Sequence, residues 1–351
     1  MHSILRTTTM ALAAASMAFA VPAGAAAKDN AKPGEGTTIK MARANWDTGW
    51  WQAEVYKQLF QKLGYDVSRV TTLQNAAFYQ AVAQGDMDLW VNGWFPNQNP
   101  FEDNFNGRAQ NIGYVAKGGA LQGYLIDKKT ADKYDIKYVS DLQKDKIAKL
   151  FDSTGDGKAN MVSCPPGWEC QNIIEYQMKH YGVADNVDLS TAGYAAAMAD
   201  TLARFKNGKP VIFYTWTPNW TVGELKPGKD VVWLQVKETK LPKAQSDLAD
   251  AAKVKNVTGC SDDPCMMGLP ANDIRPVANT KFLKDNPAVK SLLQNVSIPV
   301  EDIFAQNAKM NNGADSPQDL EKQAKQWIGD HQDEVDGWLK QARSAAADNK
   351  S

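Results

Sequence analysis

Apolar residues along this chain come in two textures: short unbroken runs, and longer stretches with helical spacing. TTIKMARANW (Thr37 to Trp46) reads as a buried strand. WWQAEVYKQLFQKLGYDV follows, with Val55, Leu59, Phe60 and Leu63 at helical spacing and Gly64 as the stop. DVSRVTTL then predicts a second strand. Strand, helix and strand within roughly 35 residues make a βαβ unit, and so a parallel sheet with helices packed on it.

The next two units resemble each other. NAAFYQAVAQGDMDLWVNGWFPN predicts a helix ending near Gly85 and a strand from Asp88 to Trp94. MADTLARFKNGKPVIFYTWTPN predicts a helix ending at Gly208 and a strand from Val211 to Trp216. Both strands finish on Trp-x-Pro-Asn, at Trp94–Asn97 and Trp216–Asn219, which points to two lobes on similar plans. Proline cannot donate to a strand ladder, so each tryptophan sits at the carboxyl end of its strand. Ligands of open α/β sheets bind at that edge; packing at a strand end is the plainer reading of either ring alone.

The Gly118-Gly119 pair precedes a fresh strand and predicts a crossover into the second lobe, while Cys265 to Leu283 reads as the return. The expected organisation is a leader over 1–27, a first lobe from 28–118 plus 271–351, and a second from 119–270. The C-terminal segments are helical; Ser316 suits an N-cap, Pro317 the first helical position, and Trp327 and Trp338 fall on core-facing periods.

Composition narrows the class. Arg6, an apolar run from Met10 to Val21 and small residues at Ala23, Ala25 and Ala27 form a secretory signal peptide, too short to span a bilayer needing about 20 residues. No cysteine precedes Cys164, so no lipid anchor is expected and the mature chain should be soluble and periplasmic. The formal charge of −1 argues against a nucleic-acid surface. Four cysteines in an exported chain predict two local disulfides, Cys164 with Cys170 and Cys260 with Cys265. Zinc would need histidines beside them, and none is near, so no metal is expected. DSTGDGKAN (Asp152 to Asn160) starts like a calcium loop, but Ser163 stands where its last ligand belongs; a tight Asx-rich turn is expected.

Of the 11 tryptophans, Trp46, Trp50, Trp51, Trp94, Trp168, Trp216 and Trp220 lie beside turns or strand ends. An indole face attracts a cation by roughly 0.5–1 kcal/mol when exposed and about 2 or more when desolvated. Three faces around one quaternary ammonium would supply much of the about −8 kcal/mol of micromolar binding. In SCPPGWECQ (Ser163 to Gln171), Trp168 runs directly into a predicted helix N-terminus, whose free N–H groups suit an anion. Ring face and donors within two residues fit a zwitterion, its cation on the indole and its carboxylate on the N–H groups of Glu169 and Cys170. The disulfide would hold the two at a fixed separation.

From Gly123 onward GYLIDKKTAD, KIAKLFDSTGDGKAN, C-x-PGW-x-C, GYAAAMADT, GKPVIFYTWTPNW and ELKPGKDVVWLQV resemble the periplasmic glycine betaine/proline betaine-binding proteins of ABC uptake systems, a quaternary-amine substrate-binding family. The likeness covers nearly the whole mature chain, most specifically Gly123 to Val236, and is weaker over Thr37 to Asn104 and around the second cysteine pair. It implies a two-lobed type II periplasmic-binding-protein fold, each lobe a mixed, mostly parallel sheet flanked by helices. It implies a cage of Trp94, Trp168 and Trp216, a Cys164–Cys170 disulfide and a carboxylate held by the N–H groups of Glu169 and Cys170. A monomer delivering an osmoprotectant to a membrane permease, without cofactor, is the expected working form.

Two departures bear on the ligand. The family has a histidine four residues after the first cage tryptophan, where this chain has Gln98, a neutral donor that would also suit another betaine or a quaternary amine lacking a carboxylate. NWDTGWW, with Trp46 and Asp47, is similar to choline-binding relatives, which keeps choline or a carnitine-type amine as the alternative; Asp47 would otherwise cap the following helix. No hydrolytic triad, Gly-x-Ser-x-Gly elbow or phosphate loop is present, so a betaine- or choline-metabolising enzyme lacks its machinery.

Overall fold

The computed structural model describes residues 31–67 and 69–349; the expected signal peptide lies outside them. In chain order the first strands are β1 (Met41–Ala44), β2 (Val70–Leu73), β3 (Leu89–Phe95), β4 (Ala109–Asn111) and β5 (Ala116–Ala120). Then come β6 (Gln122–Asp127), β7 (Ala159–Val162), β8 (Val187–Ser190), β9 (Ile212–Trp216) and β10 (Val231–Leu234). The last are β11 (Lys253–Val254), β12 (Cys265–Met266) and β13 (Asn272–Asn279). The longer helices are α1 (Trp50–Lys62), α2 (Asn75–Gln84), α3 (Glu169–His180) and α4 (Tyr194–Lys206). Four more close the chain: α5 (Pro287–Asn295), α6 (Val300–Asn311), α7 (Pro317–Asp330) and α8 (Gln332–Asp348).

One sheet has the order β2-β1-β3-β13-β4, with β5 also on β13, and the second has β10-β6-β9-β7-β8. Each sheet with its helices is one lobe. The βαβ unit forms where the spacing places it: β1 pairs parallel to β2 and β3, and Val55, Leu59, Phe60 and Leu63 are fully buried beneath them. Both sheets are mixed, but "mostly parallel" overstates them. β13 runs against β3, β4 and β5, and β6 runs against β9 and β10. Each of these strands enters its sheet on a crossover rather than after a packed helix, and so without the right-handed βαβ connection that makes neighbours parallel. β13 accommodates Pro276 at a register shift between Arg275 and Val277, the irregularity at which a strand tolerates proline.

β9 ends at Trp216 as expected and β3 one residue past its expected end, at Phe95, and Pro96 and Pro218 are both in cis linkage. Both disulfides form, Cys164–Cys170 and Cys260–Cys265. In the Asx turn, Asp152 accepts hydrogen bonds from the N–H groups of Thr154, Gly155 and Gly157. Ser316 caps α7 in a capping box with Asp319. Trp327 is buried against Trp51, and Trp338 stacks on it. No helix among the described residues is long and apolar enough to cross a membrane.

Candidate ligand-binding site between the lobes

The carboxyl ends of β3 and β9 and the loop before α3 converge on one small cavity, which offers about 40 Å³ to the centres of water molecules. Trp46, Trp94, Trp168 and Trp216 all line it. Trp46 and Trp168 meet at 5.4 Å between centroids and 72° between planes, and Trp168 and Trp216 at 5.4 Å and 78°. Rings at near right angles are adjoining walls of a box, whereas a stack would hide its faces.

Each indole is aimed by its own N–H. In the first lobe, Asn92 Oδ1 accepts from both Trp46 Nε1 (2.7 Å) and Trp94 Nε1 (3.1 Å), while Asn92 donates to Gln52. One buried amide thus orients two walls. The second-lobe rings are held across the interlobe gap instead. Trp168 Nε1 donates to Asn45 Oδ1 at 2.9 Å, and Trp216 Nε1 to Thr48 Oγ1 at 3.3 Å. Behind Trp216, Tyr194 packs at 4.6 Å, its hydroxyl 2.9 Å from Thr215 Oγ1.

The polar lining is nearly free of charge. Gln98 Oε1 accepts from the Trp94 N–H at 2.9 Å and from the Tyr79 hydroxyl. A backbone N–H can only donate, so the oxygen of this amide points inward to its own lobe and its NH₂ is the group left for the cavity. Glu169 and Cys170 occupy the first turn of α3, where no earlier carbonyl takes their N–H groups. Gln171 folds back on the same loop, its Oε1 accepting from the Gly167 N–H. The Cys164–Cys170 disulfide closes the loop that carries Trp168. Among the described residues, neither lysine nor arginine lines the cavity. Glu169 does, and burial pushes its carboxyl up to about 7 against the smaller pull of a hydrogen bond with Asn172.

Asp47 begins a 3-10 turn (Asp47–Gly49) ahead of α1 and is not part of the lining. Burial raises its carboxyl above the ordinary value, opposed by the Thr48 N–H. Sequence reading missed Asn75, Gln122 and Tyr214, which line the cavity, and Asn45, Thr48 and Asn92, which aim its rings. Asn97, also in the lining, had a signal in the repeated Trp-x-Pro-Asn.

Two α/β lobes whose strand ends meet at a ring-walled cavity define a two-lobed solute-binding receptor. Residues 37–330 match the model of the substrate binding domain of the ABC-type glycine betaine transport system, and the chain belongs to this family. It is 40% identical to the glycine betaine-binding periplasmic protein OusX of Dickeya dadantii over 90% of this chain and 92% of that one. It is 38% identical to the glycine betaine/proline betaine-binding periplasmic protein of Escherichia coli, over 98% and 99% of the two chains. The crystal structure of the glycine betaine/L-proline-binding protein ProX of Borrelia burgdorferi superposes with a TM-score of 0.67 at 16% identity, covering 88% of this chain and all of that one. The fold is that of the type II periplasmic binding proteins. Membership makes the chain a substrate-binding protein of an ABC transporter rather than an enzyme, with a quaternary amine as its ligand class and a permease as its partner.

Proposed function

We propose that this protein captures glycine betaine or proline betaine in the periplasm and delivers it, as a monomer, to its permease for osmoprotectant uptake. The observation that carries the reading is the box of Trp46, Trp94, Trp168 and Trp216 around a cavity without a cationic side chain. A trimethylated nitrogen donates no hydrogen bond, so ring faces at about 2 kcal/mol each when desolvated are its natural partners. The carboxylate end would then meet the N–H groups of Glu169 and Cys170 and the NH₂ of Gln98. The names of the relatives from Dickeya and Escherichia agree with this.

Lobes divided near Gly118-Gly119 and between 270 and 271 would move about the points where the chain passes from one sheet to the other. β5 pairs β13 in the first sheet, and β6 starts in the second only one residue later. A ligand touching both lobes favours the closed form by its preference for it.

Choline or a carnitine-type amine is the second reading, and Glu169 favours choline within it: once ionised, this carboxylate is a better neighbour for a cation with no anionic end, whereas carnitine carries a carboxylate as the betaines do. A thermal-shift panel of glycine betaine, proline betaine, choline, carnitine and taurine decides. The betaines should raise the melting temperature most at equal concentration; stabilisation by choline alone, or by none of the five, would overturn the proposal.

A further inference from the structure

Asn75 opens α2 and is only 1% exposed, yet neither its Oδ1 nor its Nδ2 has a hydrogen-bond partner among the described residues. It lines the cavity. Leaving a buried amide unpaired costs free energy on both of its polar atoms, and helix capping does not account for it. The N-cap of α2 is Gln74, and no side chain makes a cap bond there. The other amides of the lining are at least partly engaged. Gln122 Oε1 accepts from the Tyr214 hydroxyl at 2.7 Å, and Gln98 Oε1 has its two donors. Asn97 is held through its main chain, its N–H donating to Asn272 Oδ1 and its carbonyl accepting from Gln245 Nε2, both at 2.8 Å; its own Oδ1 is unpartnered. Unpaired amide atoms therefore collect on the first-lobe wall of the cavity.

Resting on the betaine reading above, we infer that Asn75 is a specificity-determining ligand contact, donating its Nδ2–H to the ligand's anionic oxygen from the first lobe. The N–H groups of Glu169 and Cys170 donate to the same carboxylate from the second lobe. Donation is the role the cavity calls for: its lining supplies no lysine or arginine, so an anion there depends on N–H dipoles. A quaternary nitrogen carries no hydrogen, so it cannot pair with the amide oxygen. With no internal partner to lock the amide, the protein leaves it free to turn its NH₂ toward the ligand. The anionic end is then gripped from both lobes, and its hydrogen bonds are complete only on closure.

Calorimetry with glycine betaine and choline on the wild type, Asn75→Ala and Asn75→Asp tests this. Failure of the wild type to bind betaine would defeat the parent reading, independently of Asn75. Given wild-type binding, Asn75→Ala should weaken betaine by about tenfold and choline by less than about threefold, the loss of one hydrogen bond to a charged group. Asn75→Asp should weaken betaine further, carboxylate facing carboxylate, and leave choline as tight or tighter. Unliganded melting temperature reports folding, and Asn75→Ala should not lower it, since it removes an unpaired amide. Betaine binding within twofold of wild type in Asn75→Ala, or equal losses for the two ligands in both variants, would overturn the inference.

Discussion

The tetrapeptide Trp-x-Pro-Asn ends both β3 and β9, but the two copies serve the cavity differently. Trp94 is oriented within its own lobe, by Asn92, and Asn97 follows it into the lining with its side-chain oxygen unpaired. Trp216 is oriented by Thr48 of the opposite lobe, and Asn219 is withdrawn from the cavity, accepting from the Thr221 N–H to start a short helix. The same local code builds a self-supporting wall in one lobe and a closure-dependent wall in the other. A preformed first-lobe face can receive the cation before the second-lobe rings are fixed, an order consistent with closure driven by ligand.

The largest expected effect separates the two copies. Trp94→Ala and Trp216→Ala each remove one desolvated ring face, worth about 2 kcal/mol or more than tenfold in affinity. Trp216→Ala also removes the bond to Thr48 and exposes the face of Tyr194, so its loss measured by calorimetry should be the greater of the two. Equal losses would erase the distinction between the walls, and unchanged affinity in either variant would remove that ring from the site.

How much of this was readable from residues alone follows the same division. The βαβ unit, the two strand ends and the local disulfides rest on short-range periods and spacings, and they were readable. So were the tryptophans, because few residues are as costly to place beside turns. Asn92, Asn45, Thr48 and Asn75 were not. An amide or hydroxyl carries no period, and its role appears only when the fold joins segments 46 residues apart, as Trp46 and Asn92 are, or 123 apart, as Asn45 and Trp168 are. Strand direction failed for a related reason. β6 and β13 look like any apolar run, and only the crossover preceding each sets its sense.

A smaller effect should come from acid. Glu169 lies on the closure-dependent side, beside the donors assigned to the carboxylate, and its carboxyl is raised from 4.5 to about 7. Below that value it is neutral and compatible with an anionic ligand end; above it, two carboxylates face each other. Betaine affinity should therefore fall several-fold as pH rises from about 6 to 8, and Glu169→Gln should flatten the profile. The unliganded protein should show the matching linkage. Between 4.5 and about 7 the folded state holds a proton that the unfolded state has lost, so this group's contribution to stability declines as pH rises through that window. Choline, lacking the carboxylate, should bind no more weakly at pH 8 than at pH 6. A flat betaine profile in the wild type would detach Glu169 from the ligand.

The smallest effect sharpens the comparison most directly, because it leaves every cavity wall in place. Thr48→Val keeps the shape of the side chain and removes the acceptor for Trp216 Nε1. Thr48 is 5% exposed, so in the closed form the indole N–H would be left without a partner, while in an open form water can take it. The substitution thus penalises closure alone, and a single neutral hydrogen bond of about 1 kcal/mol corresponds to a few-fold weaker betaine binding. The dissociation rate should carry most of that change, since the bond forms after the ligand has arrived. Unliganded melting temperature should move little, in contrast with Asn92→Ala, which frees Trp46 and Trp94 within one lobe and should lower it clearly. If Thr48→Val lowered the melting temperature as much as Asn92→Ala while leaving betaine dissociation unchanged, the bond would belong to the resting fold, and the second wall would be as self-supporting as the first.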